Sequence, residues 1–239
     1  MKELSIIIPV YNEELILEKE IDKIILATAT ALPGADCEIL IVENGSVDRT
    51  KEIVFKLAEK YSIVKAINLP QAGYGLALRA GLLKGEGKNL AVFNIDFWDL
   101  EFVNRALELI SDYDLVLGSK NMPGARDQRN LLRRSVTKAF NIFLNLFFGF
   151  KGTDTHGIKL VSREKIIPIV SQCKTDRAIF DTELVLRSER AGLKVVEIPV
   201  SCVEKRKTRF NIVKSTIQTI KDLMILFFVL RKNNKDNFK

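Results

Sequence analysis

Short, nearly continuous apolar runs alternate along the chain with longer segments in which apolar residues recur at helical spacing. The apolar runs predict strands, which we place at 5–10, 38–43, 64–69, 90–95, 114–119 and 195–203. The intervening segments predict helices near 14–32, 48–61, 75–84 and 101–111. Strands that are apolar along their whole length and separated by helices are typical of a mostly parallel sheet covered on both faces. The predicted fold class is therefore α/β.

Composition narrows the class of protein. The chain has 239 residues, of which 47% are hydrophobic and 28% charged, so a substantial core is expected and wholesale disorder is not. Its cysteines lie far apart without CxxC spacing, which argues against a disulfide framework or a zinc site and suits a reducing cytoplasm. The N-terminal apolar run does not resemble a signal peptide, and no stretch approaches the roughly 20 apolar residues of a spanning helix. We expect a chain that does not cross a membrane.

The formal charge of +7 predicts an anionic partner. Phosphate groups, nucleic acid and an acidic membrane surface all satisfy this expectation. The basic residues are not spread evenly, because they become frequent after Lys120 and again in 204–209. Since charge alone does not choose among these partners, the choice rests on the motifs.

The loops that follow the predicted strands carry the candidate chemistry. Ligands of open α/β sheets bind at the carboxyl ends of the strands. Here those ends read "PVYNE", "VENGSVDRT", "LPQAGYG", "NIDFWD" and "GSKN", which are polar, glycine-containing or acidic and predict one shared site. A dinucleotide-binding GxGxxG is missing, because the turn after the first strand has no glycine and Leu78 replaces the third glycine of "GYGLALRAG". A P-loop is absent as well.

Taken together, these loops resemble the family 2 glycosyltransferases of the GT-A fold, and more narrowly the polyprenyl-phosphate sugar synthases of the dolichyl-phosphate mannosyltransferase and glucosyltransferase type. Successive blocks of that family are matched by "SIIIPVYNEE", "IVENGSVDRT", "QAGYGLALRAGL", "GTDTHGIKLVSRE" and "IFDTELVLRSERAGLKVVEIPV". The resemblance covers nearly the whole chain. It implies a GT-A catalytic domain at 1–208, with a first amphipathic helix near 131–149, followed by a C-terminal amphipathic helix and basic tail at 209–239.

The resemblance also implies a donor site for a nucleotide sugar of the GDP-mannose or UDP-glucose type. The implied binding residues are Pro9, Tyr11, Glu13, Glu43, Asn44, Gly73, Asn94 and Asp96. Glu43 and Asn44 stand where the family usually has two aspartates.

In the family, a D-x-D motif holds a divalent cation, magnesium or manganese, against the donor diphosphate. Here that motif is Asn94-Ile95-Asp96, so Asp96 is the implied metal ligand and Asn94 a substituted one. One carboxylate can suffice, since Mg²⁺ is commonly held by one or two carboxylates together with substrate phosphates. Trp98 stands where close relatives carry a polar side chain. Asp99 either compensates as a ligand or caps the helix predicted near residue 101.

The implied reaction is an inverting transfer of a hexose to a polyprenyl or dolichyl phosphate. A phosphate acceptor, whose second pKa is about 6, needs no general base near neutral pH but does need cations. Lys120, Arg133 and Arg134 are the implied acceptor-phosphate ligands, and Asp96, Lys120 and Asp181 the implied catalytic residues.

Several assignments stay open at the level of sequence. A soluble or polysaccharide hydroxyl is an alternative acceptor, which a carboxylate such as Asp181 poised as a base over an open groove would favour. A second alternative is a degenerate GT-A binding protein without turnover, to which Asn94, Trp98 and Glu43 point. The lone His156 is expected to be structural, and Lys159 either faces the site or points away from it.

Two amphipathic segments predict an anionic membrane surface as a partner. We expect the protein on the cytoplasmic face of that membrane, and we do not expect it to bind nucleic acid. The segment near 131–149 and the one at 212–232 each combine apolar positions at helical spacing with flanking cations. We expect the C-terminal helix to lie on anionic headgroups rather than in the catalytic core; the alternative is that both segments are ordinary core helices. The apolar run 223–230 is too short to span a bilayer.

Overall fold

A computed structural model describes residues 2–128, 131–202, 218 and 221–230, except for the side chain of Arg133. The strands are β1 (Leu4–Val10), β2 (Cys37–Asn44), β3 (Val64–Leu69), β4 (Asn89–Val92), β5 (Leu115–Ser119), β6 (Arg126–Asp127), β7 (Lys159–Ser162), β8 (Val195–Pro199) and β9 (Ser201–Cys202). The helices are α1 (Leu17–Ala31), α2 (Thr50–Lys60), α3 (Tyr74–Lys84), α4 (Leu100–Leu109), α5 (Leu131–Phe148), α6 (Arg163–Gln172) and α7 (Phe180–Arg190). Residues 221–230 are also helical.

The main sheet has the strand order β3-β2-β1-β4-β7-β5-β8. Its neighbours are parallel except for β7, which runs antiparallel to both β4 and β5. β6 and β9 form a separate parallel pair. The prediction of a mostly parallel α/β sheet is therefore confirmed. The run predicted as a strand at 195–203 is divided between the two sheets, with β8 in the main one and β9 in the small one.

The apolar strand residues are buried on both faces of the sheet, as their unbroken runs predict. On one face, Ile7, Leu40 and Val42 join a core cluster with residues of α3, α6 and α7. On the other face, Ile6 and Ile39 join a second cluster with residues of α1, α2 and α4. Because side chains of a strand alternate between faces, each inner strand serves both clusters.

The sheet opens between β1 and β4 at the carboxyl ends of the two strands. β4 pairs with β1 only as far as Ile7 and Val92, while β1 continues to Val10. Pro9 lies in this continuation, so its missing N–H removes no bond from the ladder with β4. The order of connections reverses between β1 and β4, which makes this opening the place where α/β sheets bind ligands.

The described part of the C-terminal helix contributes to the hydrophobic core. Leu223, Leu226 and Leu230 are buried in the same cluster as Leu144 and Phe148 of α5. The expectation that this helix lies outside the core is wrong, because one of its faces packs on α5. The predicted boundary after residue 208 falls outside the described residues.

Candidate active site

The turn after β4 presents Asp96 at the opening of the sheet. Asn94 and Phe97 exchange both backbone hydrogen bonds, with N···O distances of 3.1 and 2.9 Å. The two residues between them form the tip, where Ile95 is buried in the second core cluster and Asp96 is partly exposed. A closed turn anchored by a buried neighbour holds the Asp96 carboxylate in a defined place at the strand end.

Trp98 and Asp99 fasten this turn to the two adjacent helices. The Trp98 indole packs against the second core cluster, and its Nε1–H donates to Glu20 Oε2 of α1 at 2.9 Å. The Asp99 carboxylate accepts from the backbone N of Phe102 at 3.1 Å and is the N-cap of α4. Of the two roles proposed for Asp99, the structure bears out the cap. Trp98 fills a packing position instead of replacing a metal ligand.

Asn44 connects the loops at the ends of three elements. Its Nδ2 donates to the carbonyl oxygen of Val10 at 2.7 Å, and its Oδ1 accepts from the backbone N of Gly73 at 3.1 Å. The neighbouring Glu43 is turned back on its own loop, where Oε1 accepts from the N of Ser46 at 2.5 Å. Both side chains are buried. These residues therefore fix the loops at the strand ends, a role that sequence reasoning missed.

The N-terminus of α3 is closed by the loop that precedes α7. The backbone N atoms of Gly75 and Leu76 donate to the carbonyl oxygen of Asp176 at 3.0 and 3.3 Å. A Cβ on Gly75 would lie 2.6 Å from the carbonyl carbon of Asp176, so only glycine permits this approach. The amide of Gly73, a residue predicted to bind the nucleotide sugar, donates to Asn44 Oδ1. Gly73 thus contributes to loop geometry.

Tyr11 is the exposed member of the residues predicted at the end of β1. It is 44% exposed, whereas Pro9 and Glu13 are buried. Asn12 beside it has a φ of 55° and binds the next loop through both its backbone and its side chain, at Ser46 and Val47. An exposed aromatic ring on a fixed loop suits stacking against a nucleobase.

A buried ion pair lies under the opening, at Lys159 and Asp181. Lys159 Nζ is 2.8 Å from Asp181 Oδ1, and the Tyr74 hydroxyl donates to Asp181 Oδ2 at 2.9 Å. Burial, followed by the charges of Asp181 and Asp96, raises the pKa of Tyr74 well above its ordinary value. Asp181, predicted as a catalytic carboxylate, is therefore enclosed and paired. Of the two orientations considered for Lys159, the structure shows the inward one. Sequence reasoning did not identify Tyr74 as a site residue, and the glycines on either side of it in "GYG" were the feature that could have pointed to it.

A second buried ion pair joins the end of β5 to the loop before β7. Lys120 Nζ lies 3.0 Å from Asp154 Oδ2 and donates to the carbonyl oxygen of His156 at 3.3 Å. It also lies 5.3 Å from the centroid of the Phe97 ring, in the turn that carries Asp96. Burial alone would raise the pKa of Asp154, but the charge of Lys120 and the groups of His156 lower it below its ordinary value.

His156 lies between the two ion pairs and α5 and is partly buried. Its Nδ1 is 3.0 Å from the Thr155 hydroxyl, and its ring meets the Phe140 ring edge to face at 5.5 Å. Burial lowers the pKa of His156, an effect only partly offset by Asp181 and Asp154. A neutral, packed imidazole agrees with the expectation of a structural histidine.

Other predicted or considered residues lie at the edges of this site. Arg134 is exposed in the first turn of α5, and the side chain of Arg133 is outside the description. Glu183, an acidic residue of the "FDTE" block, is buried and accepts from Arg187 Nε at 2.7 Å and from the backbone N of Thr175 at 2.8 Å. Its carboxylate holds the loop at Lys174 and Thr175.

The donor set fits a metal ion that takes most of its ligands from elsewhere. Within the part of the chain that the structure describes, no three His, Cys, Asp or Glu side chains converge as a metal site would require. Asp96, with the side-chain oxygen of Asn94 two residues before it, suits a hard cation that completes its shell with diphosphate oxygens and water.

Solved structures share this fold. Glucosyl-3-phosphoglycerate synthase from Mycobacterium tuberculosis, in complex with uridine diphosphate, superposes with a TM-score of 0.68 at 17% identity, covering 95% of this chain and 80% of that one. The same synthase with Mn²⁺, UDP-glucose and phosphoglyceric acid gives a TM-score of 0.68 at 16% identity, covering 95% and 80%. The predicted GT-A fold is thereby confirmed.

Curated proteins match over most of the chain. Glycosyltransferase AglD of Haloferax volcanii is 27% identical over 220 residues, which cover 90% of this chain and 35% of that protein. A dolichyl-phosphate beta-glucosyltransferase of Trichomonas vaginalis is 30% identical over 214 residues, covering 82% of this chain and 64% of that protein. The human dolichyl-phosphate beta-glucosyltransferase is 28% identical, covering 94% and 75%. This chain thus spans about a third of the first of these relatives and somewhat less than two thirds of the second.

The match to a family as a whole is the broader result. The sequence model described as Glycosyl transferase family 2 matches residues 5–167, a range that contains nearly all of β1, the whole of β2 to β5, the Asp96 turn and both ion-pair lysines. Since this range is more than half of the chain, the protein belongs to glycosyl transferase family 2.

Proposed function

We propose that this protein is an inverting glycosyltransferase that moves a hexose from a nucleotide sugar of the UDP-glucose type to the phosphate of a polyprenyl lipid such as dolichyl phosphate. The observation that carries the proposal is the enclosure of Asp181 by Lys159 and Tyr74. A carboxylate that is ion-paired and only 2% exposed is a poor general base, so the site suits an acceptor that needs none. The dolichyl-phosphate glucosyltransferases among the relatives support this acceptor.

Asp96 is the proposed protein ligand for a divalent cation on the donor diphosphate, with Asn94 beside it. Magnesium or manganese bound there would neutralise the negative charge that develops on the leaving nucleoside diphosphate. Tyr11 offers its exposed ring to the base of the nucleotide. Asn44 and Glu43 keep the surrounding loops in place, as their hydrogen bonds to Val10, Gly73 and Ser46 indicate.

The acceptor phosphate is proposed to bind where Lys120 and the first turn of α5 provide positive charge. An ammonium has three donors, and Lys120 uses two of them, toward Asp154 and the carbonyl oxygen of His156. The third is assigned to the phosphate, together with the guanidinium groups of Arg133 and Arg134. An oxygen of the phosphate dianion then attacks the anomeric carbon as the bond to the diphosphate breaks, which inverts that carbon.

An apolar surface beside this site suits a lipid acceptor. Exposed large apolar side chains occur on α5 and on 221–230, namely Leu131, Leu132, Val136, Ile142, Leu146, Phe147, Met224, Ile225 and Phe228. The two helices meet through the rings of Phe148 and Phe227, whose centroids are 5.9 Å apart. No described helix is long and apolar enough to cross a membrane. We assign this surface to the membrane interface, on the cytoplasmic face, which suits a chain whose described cysteines are buried and not joined in disulfides.

The alternatives that sequence left open receive less support. A hydroxyl acceptor needs a base at the opening, and Asp181 is closed off. A binding protein without turnover was suggested by Asn94, Trp98 and Glu43. Packing and loop contacts account for Trp98 and Glu43, which leaves Asn94 as the substitution that still points to it.

Label transfer tests the proposal directly. Purified protein is incubated with labelled UDP-glucose, GDP-mannose or UDP-galactose, with and without dolichyl phosphate, in Mg²⁺, Mn²⁺ or EDTA. We expect label to enter the organic phase only when dolichyl phosphate and a divalent cation are both present, and most from UDP-glucose. Glu108→Ala, which changes an exposed residue of α4, serves as a matched active control. Label that stays in the aqueous phase in all samples would overturn the proposal.

A further inference from the structure

Glu197 of β8 accepts hydrogen bonds from the loop that carries Asp154. Its Oε1 accepts from the backbone N atoms of Thr153 and Asp154 at 2.7 and 3.0 Å, and its Oε2 accepts from the Thr153 hydroxyl at 2.6 Å. Hydrogen bonds to an ionised acceptor are about twice as strong as neutral ones. A single carboxylate therefore anchors two consecutive residues of this loop.

The loop is held on its other side as well. The Thr153 hydroxyl lies 2.6 Å from the Ser119 hydroxyl, and the Thr153 carbonyl oxygen accepts from Asn121 Nδ2 at 2.9 Å. A Cβ on Gly152 would lie 2.5 Å from Glu197 Oε1, so the backbone approaches the carboxylate as closely as glycine allows. Thr153 is thus clamped between β8 and the end of β5, with Glu197 as the charged partner.

The clamp determines where the Asp154 carboxylate stands. Asp154 follows Thr153 directly. Its Oδ1 accepts from the backbone N of His156 at 2.9 Å, and its Oδ2 lies 3.0 Å from Lys120 Nζ. Lys120 in turn lies over the ring of Phe97, in the turn that presents Asp96. A contiguous chain of contacts therefore leads from Glu197, through Asp154, to the cation assigned to the acceptor phosphate.

We propose that Glu197 is a positioning residue of the acceptor site, which fixes the Asp154 carboxylate and through it aims the Lys120 ammonium at the acceptor phosphate. This inference rests on the proposed function, in which Lys120 meets that phosphate. Glu197 itself touches neither substrate. Its effect is on the geometry of a buried ion pair that a shift of the 152–154 loop would misplace.

Two substitutions distinguish the loss of the Glu197 hydrogen bonds from the loss of side-chain volume. Glu197→Ala leaves the Thr153 and Asp154 amides without their acceptor, whereas Glu197→Gln keeps one oxygen for them. We expect Glu197→Ala to lower kcat/KM for dolichyl phosphate by about tenfold or more while UDP affinity stays within about twofold, and Glu197→Gln to restore most of the loss. Glu108→Ala should match the wild type. Equal losses of UDP affinity and acceptor activity, or a loss that only follows the folded fraction, would overturn the proposal.

A double-variant cycle with Lys120→Ala tests the route through Lys120. If Glu197 acts through Lys120, the Glu197→Ala/Lys120→Ala protein is no worse than Lys120→Ala alone. Losses that multiply would contradict the proposal. Hydrogen–deuterium exchange of 150–157 provides a readout that does not depend on activity. A wild type without lipid transfer would defeat the proposed function, whereas unchanged exchange in Glu197→Ala would defeat the anchor.

Discussion

Lys159 and Asp181 form an ion pair that is almost fully removed from solvent, with 2.8 Å between Nζ and Oδ1 and side-chain exposures of 1% and 3%. The Tyr74 hydroxyl occupies the second carboxylate oxygen at 2.9 Å. Taking two charges out of water is costly, and the pair is tolerated because each charge has a partner. Removing one partner of this ion pair should therefore lower the free energy of unfolding more than removing both.

Lys159→Met should lower the free energy of unfolding by about 3–5 kcal/mol, because it leaves the Asp181 carboxylate buried without its cation. Lys159→Met combined with Asp181→Asn removes both charges and keeps an acceptor for the Tyr74 hydroxyl. We expect the double variant to recover at least half of the loss, measured by urea unfolding at neutral pH. A single variant within about 1 kcal/mol of the wild type would contradict this account.

The exposed pair Lys56 and Glu52 on α2 is the matched control. Its Nζ–Oε1 distance of 2.7 Å is as short as that of the buried pair, but both side chains are well exposed. Because water and salt screen such pairs, Lys56→Met should leave the urea midpoint nearly unchanged. The contrast isolates burial, and not the short distance, as the cause.

Local pattern was sufficient to predict most of the sheet. Runs such as those of β1 and β2 are apolar over their whole length, and their burial on both faces follows directly. It was not sufficient for β7, α6 and α7. β7 has four residues and begins with a lysine, and α6 contains Pro168. α7 is rich in charged residues, and its Asp181 is buried together with Lys159, its ion-pair partner 22 positions earlier.

In the candidate site, too, some features could be predicted from the sequence and others could not. The position of Asp96 after a buried strand and of Lys120 at the end of another followed from the strand-end rule. That Asn44 would join Val10 to Gly73 could not be predicted, because Val10 ends β1 and Gly73 precedes α3, and these two chain segments approach each other only in the folded sheet. Sequence identifies which loops meet, whereas side-chain partners within the meeting place depend on tertiary distances.

Asp96→Ala should abolish metal-dependent turnover and weaken Mn²⁺ binding in the presence of UDP, measured by electron paramagnetic resonance. Asn94→Asp should strengthen Mn²⁺ binding by about tenfold, because it adds a carboxylate to the same turn. Asp99→Asn is the control, since asparagine caps a helix as well as aspartate does and Asp99 is not assigned to the metal. Mn²⁺ affinity that is unchanged in both Asp96→Ala and Asn94→Asp would show that the metal binds elsewhere.

Protonation of His156 should make stability fall as pH is lowered from 7.5 to 5.5. Burial lowers the pKa of His156 in the folded protein from the ordinary value of 6.5, so the unfolded chain binds the proton more readily. Stability is therefore greatest above about pH 6.5 and is lost as pH falls toward the folded-state pKa. His156→Gln should flatten this decline, because the chain has a single histidine. An equal decline of the urea midpoint in the variant would assign the effect to carboxylates.

Arg134→Ala should raise the KM for dolichyl phosphate by about tenfold and leave UDP affinity near that of the wild type, because a charge-assisted contact is worth roughly 1.5–3 kcal/mol. Initial rates at varied acceptor concentration and calorimetric titration with UDP provide the two measurements. Lys60→Ala on α2 is the control, since it removes one exposed cation far along the chain from α5. If both variants raise the KM equally, the effect is general electrostatic attraction and Arg134 is not a phosphate ligand.

Substitutions on the buried and on the exposed face of the helix at 221–230 should have different effects on stability and on vesicle binding. Leu226 is fully buried, so Leu226→Ala should lower the free energy of unfolding by about 2–5 kcal/mol. Met224, Ile225 and Phe228 are 55–69% exposed, so their combined replacement by serine should leave the urea midpoint nearly unchanged. The same serine variant should lose binding to vesicles that contain anionic lipid, measured by co-sedimentation, because the apolar face that enters the interface is gone. Retained vesicle binding by the stable serine variant would place the membrane contact on another surface.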